Sequence, residues 1–129
     1  MKLPLERDSS IVILEVDLFG PKDVHRVNMA LDTGATFVMI PWDVAERLGY
    51  DPATSATRVT ITTASTIEKA PLIKLERIRV LDVEARKVEV VVHDLPPKSR
   101  VDGLLGLSFL RDFNIHLMLK DGVLDICDR

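Results

Sequence analysis

The amino-acid sequence predicts an all-β fold, a barrel or a sandwich, with one or two short helices. Apolar and polar residues alternate at a period of two along most of the chain, a pattern typical of half-buried strands. β-Branched residues dominate these runs, and turn-forming residues separate them. The clearest alternating runs are residues 13–18, 59–62, 75–80, 88–92 and 117–119.

Local signals between the runs predict turns and helices. Asp121-Gly122 lies between two short apolar runs and predicts a tight hairpin. Residues Trp42–Leu48 follow Pro41 and stop before Gly49, and proline before a helix with glycine after it marks helix ends. Residues 108–112 predict a single helical turn.

Composition narrows the class of protein. The 129 residues, 47% hydrophobic and 29% charged, predict one globular domain over residues 1–129. A net charge of -3 without a Lys/Arg run excludes the basic footprint of a nucleic-acid-binding protein. No run approaches the ~18 apolar residues of a membrane span, and the first residues do not resemble a signal peptide. We therefore expect a cytoplasmic protein with no membrane partner.

The cysteine and histidines do not suggest a metal or cofactor site. The one cysteine, Cys127, cannot form an internal disulfide. His25, His93 and His116 are far apart in sequence and lack metal-ligand spacing. We therefore expect neither a metal nor a cofactor.

One segment has the residues needed for chemistry. In residues 27–40, an apolar strand leads to Asp32-Thr33-Gly34-Ala35, and a second apolar strand leaves it. Glycine lets backbone N–H groups approach a carboxylate closely and hold it by charge-assisted hydrogen bonds. Asp-x-Gly is also ordinary turn chemistry, so the tripeptide alone fits a turn as well as a catalytic loop.

A second motif favours the catalytic interpretation. About seventy residues downstream, Leu104-Leu105-Gly106 precedes the predicted helical turn. With Asp32-Thr33-Gly34-Ala35, the Trp42–Leu48 helix and the Asp121-Gly122 hairpin, it makes the chain resemble the retropepsin-like aspartic proteases, particularly their cellular, non-viral members. In that family a strand like Leu104-Leu105-Gly106 passes behind the catalytic loop.

The resemblance implies an acid-protease barrel in which each subunit of a homodimer contributes one aspartate, here Asp32. It implies an aspartic endopeptidase acting on peptide or protein substrates without a cofactor. It also implies that Thr33 bonds across the dimer axis and that the chain termini pair in an interface sheet. Neither Asp102-Gly103 nor Asp121-Gly122 has the intervening Thr or Ser, so a second catalytic aspartate has to come from another copy.

The family further implies a flap, a hairpin that closes over substrate. By position its strands are residues 59–62 and 67–72, and its tip is Thr63, Ala64 and Ser65. Two departures stand out: the tip has no glycine, and Thr36 replaces an acidic residue that many members carry after Asp-Thr-Gly-Ala.

Two rival interpretations remain. The chain could be a dimerisation or peptide-binding module with weak or lost protease activity. It could also be a small monomeric β-barrel in which Asp32 merely caps a turn.

Overall fold

The computed structural model describes residues 2–5, 11–62 and 65–128, and β-strands dominate these ranges. A single 3-10 turn, Pro52–Thr54, follows the first helix. In chain order the elements are β1 (Lys2–Pro4), β2 (Ile13–Phe19), β3 (Val24–Leu31), β4 (Val38–Ile40), α1 (Trp42–Leu48), β5 (Arg58–Thr62), β6 (Ile67–Val80), β7 (Val83–Val92), β8 (Gly103–Leu105), α2 (Leu107–Leu110), β9 (Asn114–Met118) and β10 (Val123–Cys127).

Six strands close into a barrel in the order β2-β3-β8-β4-β7-β6, because β6 also pairs with β2. β5 pairs with β6 outside this ring. Alternation along β2 turns Leu14, Val16 and Leu18 into the core, where each is at most 1% exposed. The all-β fold predicted from the alternating runs is confirmed, and of the two forms they allowed, barrel and sandwich, it is the barrel that the resemblance implied.

The alternation changes phase within the hairpin of β6 and β7. Leu75 and Ile78 are both fully buried although they lie three residues apart. Between them the pairing of Glu76 with Lys87 is missing from the ladder, and Lys87 has a φ of 53°. The Glu76 N–H instead donates to the Tyr50 hydroxyl at 2.9 Å. Burial raises the pKa of Tyr50, which keeps this hydroxyl neutral.

Both predicted helices exist. α1 has the predicted bounds and ends because Gly49 adopts a left-handed φ of 103°, from which its N–H returns to the Ala45 and Glu46 carbonyls. α2 begins at Leu107 and ends at Leu110, slightly earlier than the predicted turn over residues 108–112. No helix of the described ranges is long and apolar enough to cross a membrane.

The two ends of the chain meet in a three-stranded sheet of order β1-β10-β9. The predicted Asp121-Gly122 turn joins β9 to β10, with Gly122 at a φ of 67°. Leu124 and Ile126 of β10 are fully buried against the barrel core. This sheet therefore packs on the barrel as a second layer.

A cluster of charged side chains lies across β2, the strand whose pairing with β6 closes the ring. Asp17 on β2 lies opposite Arg26 of β3 on one side and Arg79 of β6 on the other. Its carboxylate accepts from Arg26 Nε at 2.9 Å and from Arg79 Nη2 at 3.2 Å. These hydrogen bonds, that of Arg26 foremost, lower the pKa of Asp17 against the opposing effect of burial.

Asp17→Asn should lower the free energy of unfolding by about 1 kcal/mol at pH 7. A lowered folded-state pKa stabilises the protein above the ordinary value of 3.8, and this contribution is lost as pH falls through the folded value. Urea unfolding should therefore separate wild type and variant at pH 7 and bring them together near pH 2. Glu15→Gln is the control, since Glu15 and Arg26 form an exposed 3.5 Å pair. An equal deficit for Asp17→Asn at both pH values would contradict the prediction.

Candidate functional site

Asp32 follows directly after β3 and is held by the strand behind it. β3 runs parallel to β8, with Leu31 opposite Leu105. The Asp32 N–H donates to the Leu105 carbonyl at 3.1 Å, and the Leu31 N–H donates to the Val12 carbonyl at 2.8 Å. The backbone that carries the carboxylate is therefore fixed from both sides.

The turn after Asp32 orients its side chain. The Gly34 N–H donates to Asp32 Oδ1 at 2.9 Å, and the Ala35 N–H donates to the Asp32 carbonyl at 3.2 Å. A Cβ at Gly34 would lie 3.2 Å from Asp32 Oδ1, so glycine leaves room for this close approach. Asp32 is half-buried, whereas Thr33 and Gly34 are exposed. The turn thus presents an oriented carboxylate near the surface.

The segment Leu104-Leu105-Gly106 lies behind this turn, where the sequence predicts it. Leu104 pairs with Ala30 of β3 and with Met39 of β4, so β8 is wedged between the strands that enter and leave the loop. A Cβ at Gly106 would clash with the Phe37 carbonyl and lie 2.7 Å from that of Ala35. Glycine is required here because the two backbones nearly touch.

Ser108 is a positioning residue that sequence reasoning did not find. Its Oγ accepts from the Val38 N–H at 2.8 Å and donates to the Glu89 carbonyl at 2.7 Å. Its own N–H donates to the Thr36 carbonyl at 3.0 Å. These bonds hold the chain leaving the Asp32 turn against α2 and β7. The partners lie 19 and 70 residues away from Ser108, so no local pattern reveals them.

A cleft of about 260 Å³ lies between the Asp32 turn and β5. Its floor includes residues 34–37, and β5 covers it. Its lining is mixed: the larger apolar side chains are those of Phe37, Met39, Val59, Ile61 and Val91, and three threonines, at positions 36, 60 and 62, line it as well. Apolar side chains with a few polar groups among them are typical of surfaces that bind a peptide or small ligand.

The two strands predicted for the flap pair as a hairpin. β5 and β6 are antiparallel, with Thr62 opposite Ile67. Of the predicted tip, Thr63 and Ala64 lie outside the described residues, and Ser65 is exposed. β6 pairs with β7 only from Leu72 onward. Between the tip and Leu72, its pairing partner is β5. The hairpin therefore extends beyond the closed ring and over the cleft.

The other two Asp-Gly pairs have structural roles. Asp102 precedes β8, at the end of that strand away from Asp32, and its Oδ2 accepts from the Asn28 N–H at 2.9 Å. Asp121 lies in the turn between β9 and β10. Neither residue belongs to the turn that holds Asp32.

Three comparisons bear on this site. A family model described as aspartyl protease matches residues 14–109. An uncharacterized protein in the cobV 5' region of a Sinorhizobium species is 31% identical over 100 residues. That match covers 77% of this chain and 42% of the relative, so it spans less than half of that protein's length.

A solved structure shows the same fold. The crystal structure of a retropepsin-like aspartic protease from Rickettsia conorii superposes with a TM-score of 0.72 at 23% identity. The match covers 96% of this chain and 86% of that one. The barrel described above therefore has the retropepsin-like fold.

Two glycine substitutions should distinguish the backbone contact behind the turn from the contact with the Asp32 side chain. Gly106→Ala should lower the free energy of unfolding by about 1–3 kcal/mol, because its Cβ meets rigid backbone carbonyls. Gly34→Ala should cost less than about 1 kcal/mol, since its Cβ meets the movable Asp32 side chain at 3.2 Å. Urea unfolding of both variants measures the difference. Equal losses would show that the two backbones do not constrain the loop as described.

Proposed function

This chain belongs to the aspartyl protease family, and we therefore propose that it is an aspartic endopeptidase whose catalytic carboxylates are Asp32 of two identical subunits. The observation that carries the proposal is the Asp32 carboxylate, oriented by the Gly34 N–H at 2.9 Å. It stands beside a cleft that β5 of a β-hairpin helps to line.

Peptide hydrolysis by this route needs an acid and a base within reach of one water. Two carboxylates about 3 Å apart cannot both ionise, so they share a proton. One carboxylate takes a proton from the attacking water while the other protonates the oxygen of the scissile carbonyl. The Gly34 N–H donates to Asp32 Oδ1 and stabilises whichever of the two carboxylates is ionised. No covalent intermediate forms on the protein.

A second copy of the chain supplies the missing carboxylate. Asp32 belongs to the one Asp-Thr-Gly or Asp-Ser-Gly in the sequence. Thr33 and Gly34 are exposed, which leaves the turn accessible to a partner. A two-fold axis beside this turn would bring Asp32 next to its symmetry mate, with Thr33 bonding across the axis. The sheet of β1, β10 and β9 would extend the contact between the subunits.

The β5–β6 hairpin serves as the flap over the cleft. An extended substrate would lie between residues 34–37 and β5, with an apolar side chain against Met39, Ile61 and Val91. Thr36 also lines the cleft and is exposed. It offers substrate a hydroxyl where many relatives offer a carboxylate, so binding here depends less on charge.

Asp32→Asn should abolish cleavage of a denatured protein, with a loss of at least about a thousandfold, because an amide can serve neither as base nor as shared acid. Cleavage is followed by gel electrophoresis of the purified protein with its substrate. Asp112→Asn is the matched control, an exposed aspartate in the turn after α2. Full activity of Asp32→Asn would refute the assignment of the catalytic residue.

Mixing the two proteins tests whether the site is shared. In an equal mixture of wild type and Asp32→Asn that exchanges subunits, about a quarter of the dimers would carry two aspartates. The rate should then fall to about a quarter of that of wild type at the same total concentration. A fall to one half would mean that each chain works alone.

The rate of cleavage should peak at acidic pH. The active form holds one proton on the pair of aspartates, so the rate falls when a second proton binds and when the shared proton leaves. A bell-shaped profile of kcat/KM measures these steps for the pair as a unit. A rate that keeps rising above neutral pH would contradict a shared-proton mechanism.

The glycine-free tip and Thr36 keep a peptide-binding module as the rival function. A pepstatin-type inhibitor, which resembles the tetrahedral intermediate of this reaction, distinguishes the two. Binding of the inhibitor together with cleavage that depends on Asp32 supports the protease. Binding without cleavage of any denatured protein supports the module.

A further inference from the structure

The flap hairpin touches the body of the barrel through a pair of titratable side chains. His93 Nε2 donates to Glu68 Oε2 at 2.7 Å. Glu68 lies near the start of β6, in the part that pairs with β5 rather than with β7. His93 directly follows β7, which belongs to the closed ring. This contact thus joins the projecting hairpin to the frame.

The histidine side of the contact is anchored. The His93 N–H donates to the Ile40 carbonyl at the end of β4, at 3.0 Å. The next residue, Asp94, accepts from the Trp42 N–H at the start of α1, also at 3.0 Å. His93 therefore moves with the barrel and α1, whereas Glu68 moves with the hairpin.

The pair lies on the cleft side of the hairpin. Glu68 is directly opposite Ile61, and residues opposite each other in an antiparallel ladder point to the same face. Ile61 and Val91 both line the cleft. His93 is two residues after Val91, so it shares the face of Val91. A contact on this face restrains the hairpin in its position over the cleft.

The other charged groups near the pair lie farther along the strands or bond to other partners. On the same face, Lys74 of β6 and Glu89 of β7 lie opposite each other farther along the ladder. Val59 and Ile61 of β5 and Met39 of β4 are apolar. On the α1 side, Asp94 and Asp43 accept from the backbone N–H groups of Trp42 and Val44.

We propose that His93 is a positioning residue for the flap, holding the β5–β6 hairpin over the cleft through Glu68 and holding it more firmly when the imidazole is protonated. The flap role rests on the proposed function, whereas the tether itself does not. Protonation adds a positive charge opposite the Glu68 carboxylate and strengthens the hydrogen bond. Side-chain exposures of 25% for His93 and 49% for Glu68 keep the contact weak enough to open.

The tether is tested first without catalysis, by amide hydrogen exchange in an Asp32→Asn background that cannot digest itself. His93→Ala should raise exchange of the amides in residues 58–62 and 67–70 by about two- to five-fold at pH 5.5, and by less at pH 8. Comparison with the parent at the same pH cancels the intrinsic pH dependence of exchange. Unchanged exchange in β3 shows that the barrel remains folded.

Two further variants identify the cause. His93→Gln keeps a neutral donor but cannot gain the charge. Relative to the parent at the same pH, it should raise exchange at pH 5.5, by less than His93→Ala does, and change little at pH 8. His25→Gln, near the start of β3 and at the end of that strand away from Asp32, should leave exchange of the hairpin unchanged. In the background with Asp32 intact, His93→Ala should raise KM by about two- to five-fold and leave kcat nearly unchanged.

The outcomes separate this proposal from the proposed function. Hairpin exchange that is identical in His93→Ala and its parent at both pH values overturns the tether, even if the protein is an active protease. If His93→Ala alters exchange but the chain with Asp32 intact cleaves no substrate, the tether is supported and the protease is refuted. An equal effect of His93→Ala at both pH values overturns the role of protonation.

Discussion

The architecture depends on the close approach of two backbones behind the Asp32 turn. β8 passes between β3 and β4, and the Leu105 carbonyl accepts the Asp32 N–H. The approach is possible because glycine occupies both ends of this passage: a Cβ at Gly103 or at Gly106 would collide with a backbone carbonyl of the neighbouring segment. Bonds from Leu107 and Ser108 to the carbonyls of residues 35 and 36 continue the contact. The carboxylate is thus positioned by main-chain geometry, which varies less than side-chain packing.

The strands of the barrel differ greatly in length. β4 and β8, which lie beside the Asp32 turn, have three residues each, whereas β6 and β7 have 14 and 10. The long strands and the pairing of β2 with β6 at Asp17 close the ring. The short strands are therefore held by their neighbours rather than by their own length. The hairpin of β5 and the first part of β6 projects beyond the ring, past the point where β6 pairs with β7. A closed frame and a projecting hairpin therefore coexist in one small chain.

Much of this could be predicted from local patterns, and the discrepancies have physical causes. α1 was predicted with its observed bounds because proline and glycine act on the backbone within one turn. The strand around Leu75 and Ile78 was predicted as regular alternation, yet both side chains point into the core. The cause is the left-handed backbone of Lys87 on the partner strand, with Tyr50 accepting the displaced N–H of Glu76. The two successive polar residues Glu76 and Arg77 mark the place in the sequence, but only the paired strands show that the alternation changes phase there.

The sequence by itself determined the residues of the Asp32 turn, the strand Leu104-Leu105-Gly106, the helix Trp42–Leu48 and the hairpin at Asp121-Gly122. These follow from side-chain alternation and from the backbone freedom of glycine, which act over a few neighbouring residues. Only the tertiary structure decided that Ser108 bonds Val38 and Glu89, that His93 meets Glu68, and that β6 closes the ring onto β2. Each of these contacts joins segments far apart in the chain. Their side chains meet only after the strands have paired and twisted, so neither composition nor periodicity encodes them.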